Sequence, residues 1–286
     1  MVAFLSALLG LLSMLSYGWA NALSKPLTQK LGPAQFLFLK GVGTSLILAV
    51  VAIPSYHYLS HWTVVLEALA LGLAGYIPVL AFMHAIRTSP LGMVAPVSGS
   101  APLITVALSV GFLNVTLHKL QWLAIVIIIV ANVIVSVDIR NWRQSRLLHK
   151  ASGIPFALVA AIGWGLFYFF LIPITRVLGP WLASLLVEVG VTVAAGYHIK
   201  STAKKSTFSD AWRPDILFNA VLTCAGTLAF AFGVKHYNVG IVAALSNSTA
   251  LVTTLLGVLL YQERLHLKER LSALAMIASV AILSLF

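Results

Sequence analysis

Charge is what this chain has least of: only 9% of its 286 residues are Asp, Glu, Lys or Arg. A soluble globular domain carries about 25%. A water-soluble fold of this size could not cover its surface with so little, which excludes an ordinary cytosolic enzyme and a disordered chain. Cysteine is nearly absent too. The lone Cys224 rules out an internal disulfide, a CxxC pair and a Cys-based zinc site. It stands in an apolar run, where it is expected to pack as a small hydrophobe. Apolar residues make up 60% of the chain, and the mean hydropathy is +1.00. The expectation is an integral membrane protein. The net charge of +11 does not point to nucleic acid. The basic residues lie between apolar runs, as the positive-inside bias of membrane proteins predicts.

A bilayer core about 30 Å thick needs roughly 20 apolar residues per helix. Apolar runs read against their polar breaks predict ten spans: 2–24, 34–55, 63–85, 90–113, 118–138, 153–174, 180–200, 214–235, 239–260 and 266–286. The remaining loops are short and leave no room for a soluble domain. Ala20-Asn21-Ala22 resembles a signal-peptide cleavage site. Met1-Val2-Ala3 carries no positive side chain, however, and the segment recurs later in the chain. It is read as a permanent helix.

That recurrence is an internal repeat. Residues 81–123 laid on 229–271 share 14 of 43 positions, among them Ala81/Ala229, Phe82/Phe230, Gly92/Gly240, Ser98/Ser246, Ser100/Ser248, Thr105/Thr253 and His118/His266. Upstream, Gly18-Trp19 matches Gly163-Trp164, Gly32-Pro33 matches Gly179-Pro180, and Gly43 matches Gly190. The chain divides into a first half, 1–138, a basic connection, 139–152, and a second half, 153–286. Five spans per half is an odd number, so the second half must enter the membrane with opposite polarity. Inverted repeats of this kind recur in secondary transporters, where one half rocks against the other around a midplane site.

In their order and duplication these features resemble the EamA-type members of the drug/metabolite transporter superfamily. The features are Gly-Trp in the first helix of each half, Gly-Pro before the second, and an Ala-Phe…(Arg/Lys)…Gly-x-Val-Ala-x-x-Ser stretch joining helices three and four. The second half adds Gln262-Glu263-Arg264-Leu265 after its fourth span, where the first half has Asn114-Val115-Thr116-Leu117. The resemblance covers essentially the whole chain. It implies an all-α fold of ten transmembrane helices in two inverted five-helix repeats, and export of amino acids, related metabolites or drugs.

Loops after the odd-numbered spans hold fourteen basic residues and the opposite set only Lys119, Arg176 and Lys235. By the positive-inside rule the first set is cytoplasmic, which puts both termini outside. The resemblance implies cytoplasmic termini instead. The charge count, being this chain's own, is given the greater weight.

Ionisable groups inside spans are costly and face the bundle interior or a wet cavity. Glu188 stands near the middle of span seven. Lys40 stands about 9 Å into span two, at a rise of 1.5 Å per residue, within one residue of Glu188's repeat-equivalent position. A substrate or proton site competes here with a structural ion pair for Glu188 and with snorkelling for Lys40. Span four, with Pro90, Gly92, Pro96, Ser98, Gly99, Ser100 and Pro102, cannot keep an unbroken helix. Its repeat partner carries Ser246-Asn247-Ser248. Both stretches are read as lining a cavity, with close packing through small residues as the alternative. Trp19, Trp164, Tyr168 and Tyr76 fall inside spans and not at the interfacial belt, and Asn21 needs a partner in lipid. These twelve residues form the predicted substrate site: Glu188, Lys40, Trp19, Asn21, Trp164, Tyr168, Tyr76, Ser98, Ser100, Ser246, Asn247 and Ser248.

No nucleophile-and-base set, metal-ligand spacing or phosphate loop stands beside them. No enzyme activity, cofactor or metal is expected. The expected partners are a small-molecule metabolite and the lipid bilayer of the cell membrane, with no nucleic acid; a homodimer is left open. Two rivals remain. A nucleotide-sugar or sugar-phosphate exchanger would want more buried cations, and a non-transporting scaffold or lipid-handling protein would need no duplicated serine-rich helices.

Overall fold

The computed structural model describes residues 2–113, 119–136, 153–201, 213–236, 242, 245–246 and 248–285. They form α1 (Val2–Leu31), α2 (Pro33–Val51), a 3-10 segment (Ile53–Ser60), α3 (Trp62–Thr88), α4 (Leu91–Ser98), α5 (Ala101–Leu113), α6 (Lys119–Ser136), α7 (Ile154–Ser201), α8 (Pro214–His236), α9 (Thr249–Tyr261) and α10 (Leu267–Leu285). Among the described residues there is no strand. Six helical stretches are long and apolar enough to cross a membrane, and three shorter apolar helices accompany them.

Helix boundaries follow glycine and proline. Gly32 and Gly179 both hold positive φ, 88° and 72°, immediately before a proline. Only glycine takes that conformation without a steric cost, and the following proline is preset for a helical start. Gly179 therefore bends α7 into two arms. Unbroken, its 48 residues would reach about 70 Å, more than twice a bilayer core. Span four breaks as its prolines predict, between α4 and α5 at Gly99–Ser100. The first helix, by contrast, runs seven residues past the expected 24, through Pro26.

The repeat is visible in the packing. Helix α1 runs antiparallel to α8, with Leu9 on Gly233, Tyr17 on Gly226 and Ala20 beside Asn219. The repeat-equivalent pair, α3 and the first arm of α7, also runs antiparallel, with His84 on Phe156, Phe82 on Trp164 and Pro78 on Gly163. Helix α2 lies against the second arm of α7, where Phe38 meets Gly196 and Gly41 meets Thr192. Helix α4 lies against α9, where Gly99 meets Ala250 and Leu91 meets Gly257.

Small residues set these distances, because lipid gives helices no hydrophobic reason to associate and close backbone packing must do so. Gly72 crosses Gly190 backbone to backbone: a Cβ on Gly190 would stand 2.5 Å from the Leu69 carbonyl oxygen. The main core gathers around Phe36, Leu37, Phe82, Ile86, Leu91 and Ile154, each 2% exposed or less.

Candidate functional site

Two charged centres emerge. In the first, Glu188 on α7 and Lys40 on α2 sit on neighbouring helices near Cys224 of α8, whose thiol lies in the field of both. Thr44, one turn beyond Lys40, accepts the Cys224 thiol on its carbonyl at 3.6 Å and gives its own hydroxyl to the Lys40 carbonyl. Thr192 bonds the Glu188 carbonyl in the same way. Both ionic side chains are half-buried. Among the described residues neither has an ion-pair partner within 4.0 Å. The antiparallel register sets their levels about five residues, or about 7 Å, apart along the helix axes. Two opposite charges thus stand on neighbouring helices in a costly medium without an ion pair between them.

Aromatic hydroxyls border this centre. Tyr17 interacts electrostatically with Glu188 and Tyr168, and its hydroxyl bonds Thr227 at 2.6 Å. Tyr168 is 44% exposed. On α7 the exposed stripe Val159, Ile162, Leu166 and Phe170 suits lipid, and Tyr168 points about 160° away from Leu166 at 100° per residue. Trp164 shares its face and tilts against Phe82, ring centres 5.1 Å apart. Trp19 stands elsewhere. It continues the exposed apolar stripe Phe4, Leu8, Leu11 and Leu15 of α1, with Tyr17 on the opposite face.

The other sequence-predicted residues are scattered. Tyr76 is buried and its hydroxyl bonds His198 Nδ1 at 2.7 Å. Ser98 and Ser100 are buried and give their hydroxyls to carbonyls of their own turn, Val94 and Ala95 for the first and Val97 for the second. Ser246 bonds Ser13 at 2.7 Å and ties α1 to the start of α9. Ser248 is buried at the α9 N-terminus, Asn21 is half-buried on α1, and Asn247 lies outside the described residues.

The sequence reading passed over a polar seam between α1 and α8. Asn219 donates to the Ala20 carbonyl at 2.8 Å and to Ser24 Oγ at 3.3 Å, and its buried Oδ1 has no partner among the described residues. Thr223 and Thr227 continue the row. Their spacing of four on an apolar helix was the available signal.

The second centre lies where α1, α3 and α9 end together. Helix α9 stops at Tyr261 because Gln262 takes φ 52°, a left-handed turn that costs an ordinary side chain about 1–2 kcal/mol. The turn folds Glu263 back over Gly257, and its amide bonds the Gly257 carbonyl at 3.3 Å. Glu263 then reaches across to the first half. One carboxylate oxygen meets Lys25 Nζ at 2.5 Å and the other accepts the Gly92 amide at 3.3 Å, at the open N-terminus of α4. Lys25 also donates to the Ser89 carbonyl, 3.0 Å away at the end of α3. The pair is nearly shut off, with 14% and 6% of the two side chains exposed. Pro26 has no N–H for the Ala22 carbonyl, and Tyr261 Oη donates to that carbonyl at 3.0 Å instead.

No curated protein matches the chain. A solved structure described only as a crystal structure of a protein is similar over 97% of this chain and 95% of its own, with a TM-score of 0.64 at 14% identity, and so shares the fold. The model of the EamA-like transporter family matches twice, over residues 4–137 and 151–285. Those two matches fall on the two halves that the internal repeat marks out. With its apolar spans, duplicated glycine–proline breaks and whole-chain match, this chain is a multi-pass membrane protein that belongs to the EamA-like transporter family, a branch of the drug/metabolite transporters.

Proposed function

We propose that the chain is a secondary carrier of small zwitterionic or amphipathic metabolites, amino acids and related compounds and drugs among them. It would work as an exporter in the cell membrane by alternating access. The observation that carries the reading is the unneutralised pair of opposite charges, Glu188 and Lys40, with Tyr168 on the side of α7 away from its exposed apolar stripe. Charges that far inside a span are retained for a partner, and a zwitterion supplies both counter-charges at once. In this arrangement Glu188 takes the ammonium, Lys40 takes the carboxylate, and Tyr17, Tyr168 and Trp164 face the apolar body. The antiparallel registers of α2 on α7 and α4 on α9 support ten helices in two inverted halves, since equivalent helices of inverted repeats run in opposite directions. Two positions of one fold, related by that pseudo-symmetry, are the natural endpoints of a rocking motion.

The test is a thermal-shift screen of the purified protein against amino acids, organic cations, polyamines, sugar phosphates and nucleotide sugars. A ligand at a hundred times its dissociation constant stabilises the folded state by about 2.7 kcal/mol. A shift confined to zwitterions or cations and lost in Glu188→Gln is the expected result. Stabilisation by phosphorylated anions alone, retained in Glu188→Gln and lost in Lys40→Ala, would overturn it in favour of a sugar-phosphate exchanger.

A further inference from the structure

We infer that Lys25 and Glu263 form a latch that holds one mouth of the carrier shut, and that the opposite mouth has no equivalent latch. The inference rests on the carrier reading above. Lys25, Ser89 and Gly92 come from the first half and Glu263 from the second, so both contacts made by Glu263 tie the end of α9 to first-half residues. The contacts converge at the common end of α1, α3 and α9, where a path between the halves would open.

Rigid features aim the carboxylate. Gln262 reverses the chain, Gly257 leaves room for Glu263, and a Cβ on Gly257 would stand 2.6 Å from Glu263 Oε2. Behind it Leu265 fills the space left by Gly92. Charge-assisted hydrogen bonds of this kind are about twice as strong as neutral ones. They are also discrete, held or released, as a two-position gate requires.

The repeat makes the asymmetry testable. At the offset of 148 that aligns the halves here, the counterpart of Glu263 is Val115. Lys25 lies between matches at offsets of 145 and 147, so its counterpart falls within Phe170–Ile172. Neither partner has a charged equivalent. On this inference the resting carrier is biased towards opening at the opposite mouth, and Tyr168, on the side of α7 away from its exposed apolar stripe, is the residue such an opening would expose.

A membrane-impermeant sulfonated maleimide, applied to right-side-out and inside-out vesicles, reads this without a known substrate. The parent is the full chain with Cys224→Ala and Tyr168→Cys. The expected result is labelling from the face opposite the latch. Glu263→Gln, Lys25→Met and their double variant should label from the latch face about tenfold faster than the parent, a change of 1.4 kcal/mol in the conformational equilibrium. Because the two residues act as one latch, the double variant should do no more than either single one. Lys25→Arg, which keeps the charge, should label as the parent does.

Opposite-face labelling that all these variants leave unchanged would overturn the latch while leaving the carrier reading standing. So would a double effect equal to the product of the single ones. A reporter inert from both faces in every variant would overturn both. Should Glu263→Gln fail to give a monodisperse protein, Lys25→Met against Lys25→Arg carries the same comparison.

Discussion

The molecule holds two lysine–glutamate couples, and they are built to opposite ends. Lys25 and Glu263 touch, are nearly excluded from solvent and each make a further hydrogen bond, to Ser89 and Gly92 respectively. Lys40 and Glu188 sit on neighbouring helices, each half-buried, and do not form an ion pair. Desolvating a charge is expensive wherever it happens, and excellent geometry with additional hydrogen bonds is what recovers the cost. The first couple recovers it within the protein. The second leaves it open, which is the condition under which a solute can supply the missing partner. A completed pair contributes to structure, and an incomplete one is available for binding.

The comparison can be broken by substitution, with thermal unfolding in detergent as the measurement. Glu263→Leu removes one partner of the completed pair and should cost about 3 kcal/mol, because Lys25 is left largely buried without a counter-charge. Glu188→Leu in the ligand-free protein should stay within about 0.5 kcal/mol, since no protein partner is lost. Equal destabilisation by the two would erase the distinction. Tyr261→Phe tests the surroundings of the latch. It leaves the Ala22 carbonyl with no donor beside Pro26, and the expected loss is about 1–2 kcal/mol. The smallest effect should come from Gln262→Gly, which relieves a left-handed side chain and is expected to stabilise by about 0.5–1 kcal/mol. A loss there would mean that the Gln262 side chain makes a contribution of its own.

Much of the architecture was legible in advance. The apolar helices, the repeat and the breaks at Gly32, Gly179 and Gly99–Ser100 follow from hydropathy and from the conformational limits of glycine and proline, which act over a few residues. The end of α1 was not legible. The apolar run breaks at Lys25, yet the helix continues through Pro26, and the distant Tyr261 hydroxyl supplies the donor that Pro26 denies the Ala22 carbonyl. The serines were legible as a motif but not as to what their hydroxyls do. Ser98 and Ser100 bond their own turn, whereas Ser246, the repeat partner of Ser98, crosses to Ser13. Glu188 and Lys40 stood out because charge inside an apolar run is conspicuous. Lys25 and Glu263 lie at span ends, where charge is ordinary; Glu263 stood out only as part of the Gln262-Glu263-Arg264-Leu265 motif, and nothing in the sequence joined it to Lys25.

The sequence by itself determined a membrane-embedded helical chain in two related halves, because burial in lipid and helix continuity are decided by composition and by neighbours along the chain. Only the tertiary structure decided which charges are paired and which are open. Residues 25 and 263 are separated by most of the chain, and the left-handed turn at Gln262 and the absence of a side chain at Gly257 bring the carboxylate onto the lysine. At the other centre the antiparallel register of α2 on α7 holds Lys40 and Glu188 on offset levels, so two residues of matching charge remain neighbours without becoming a pair.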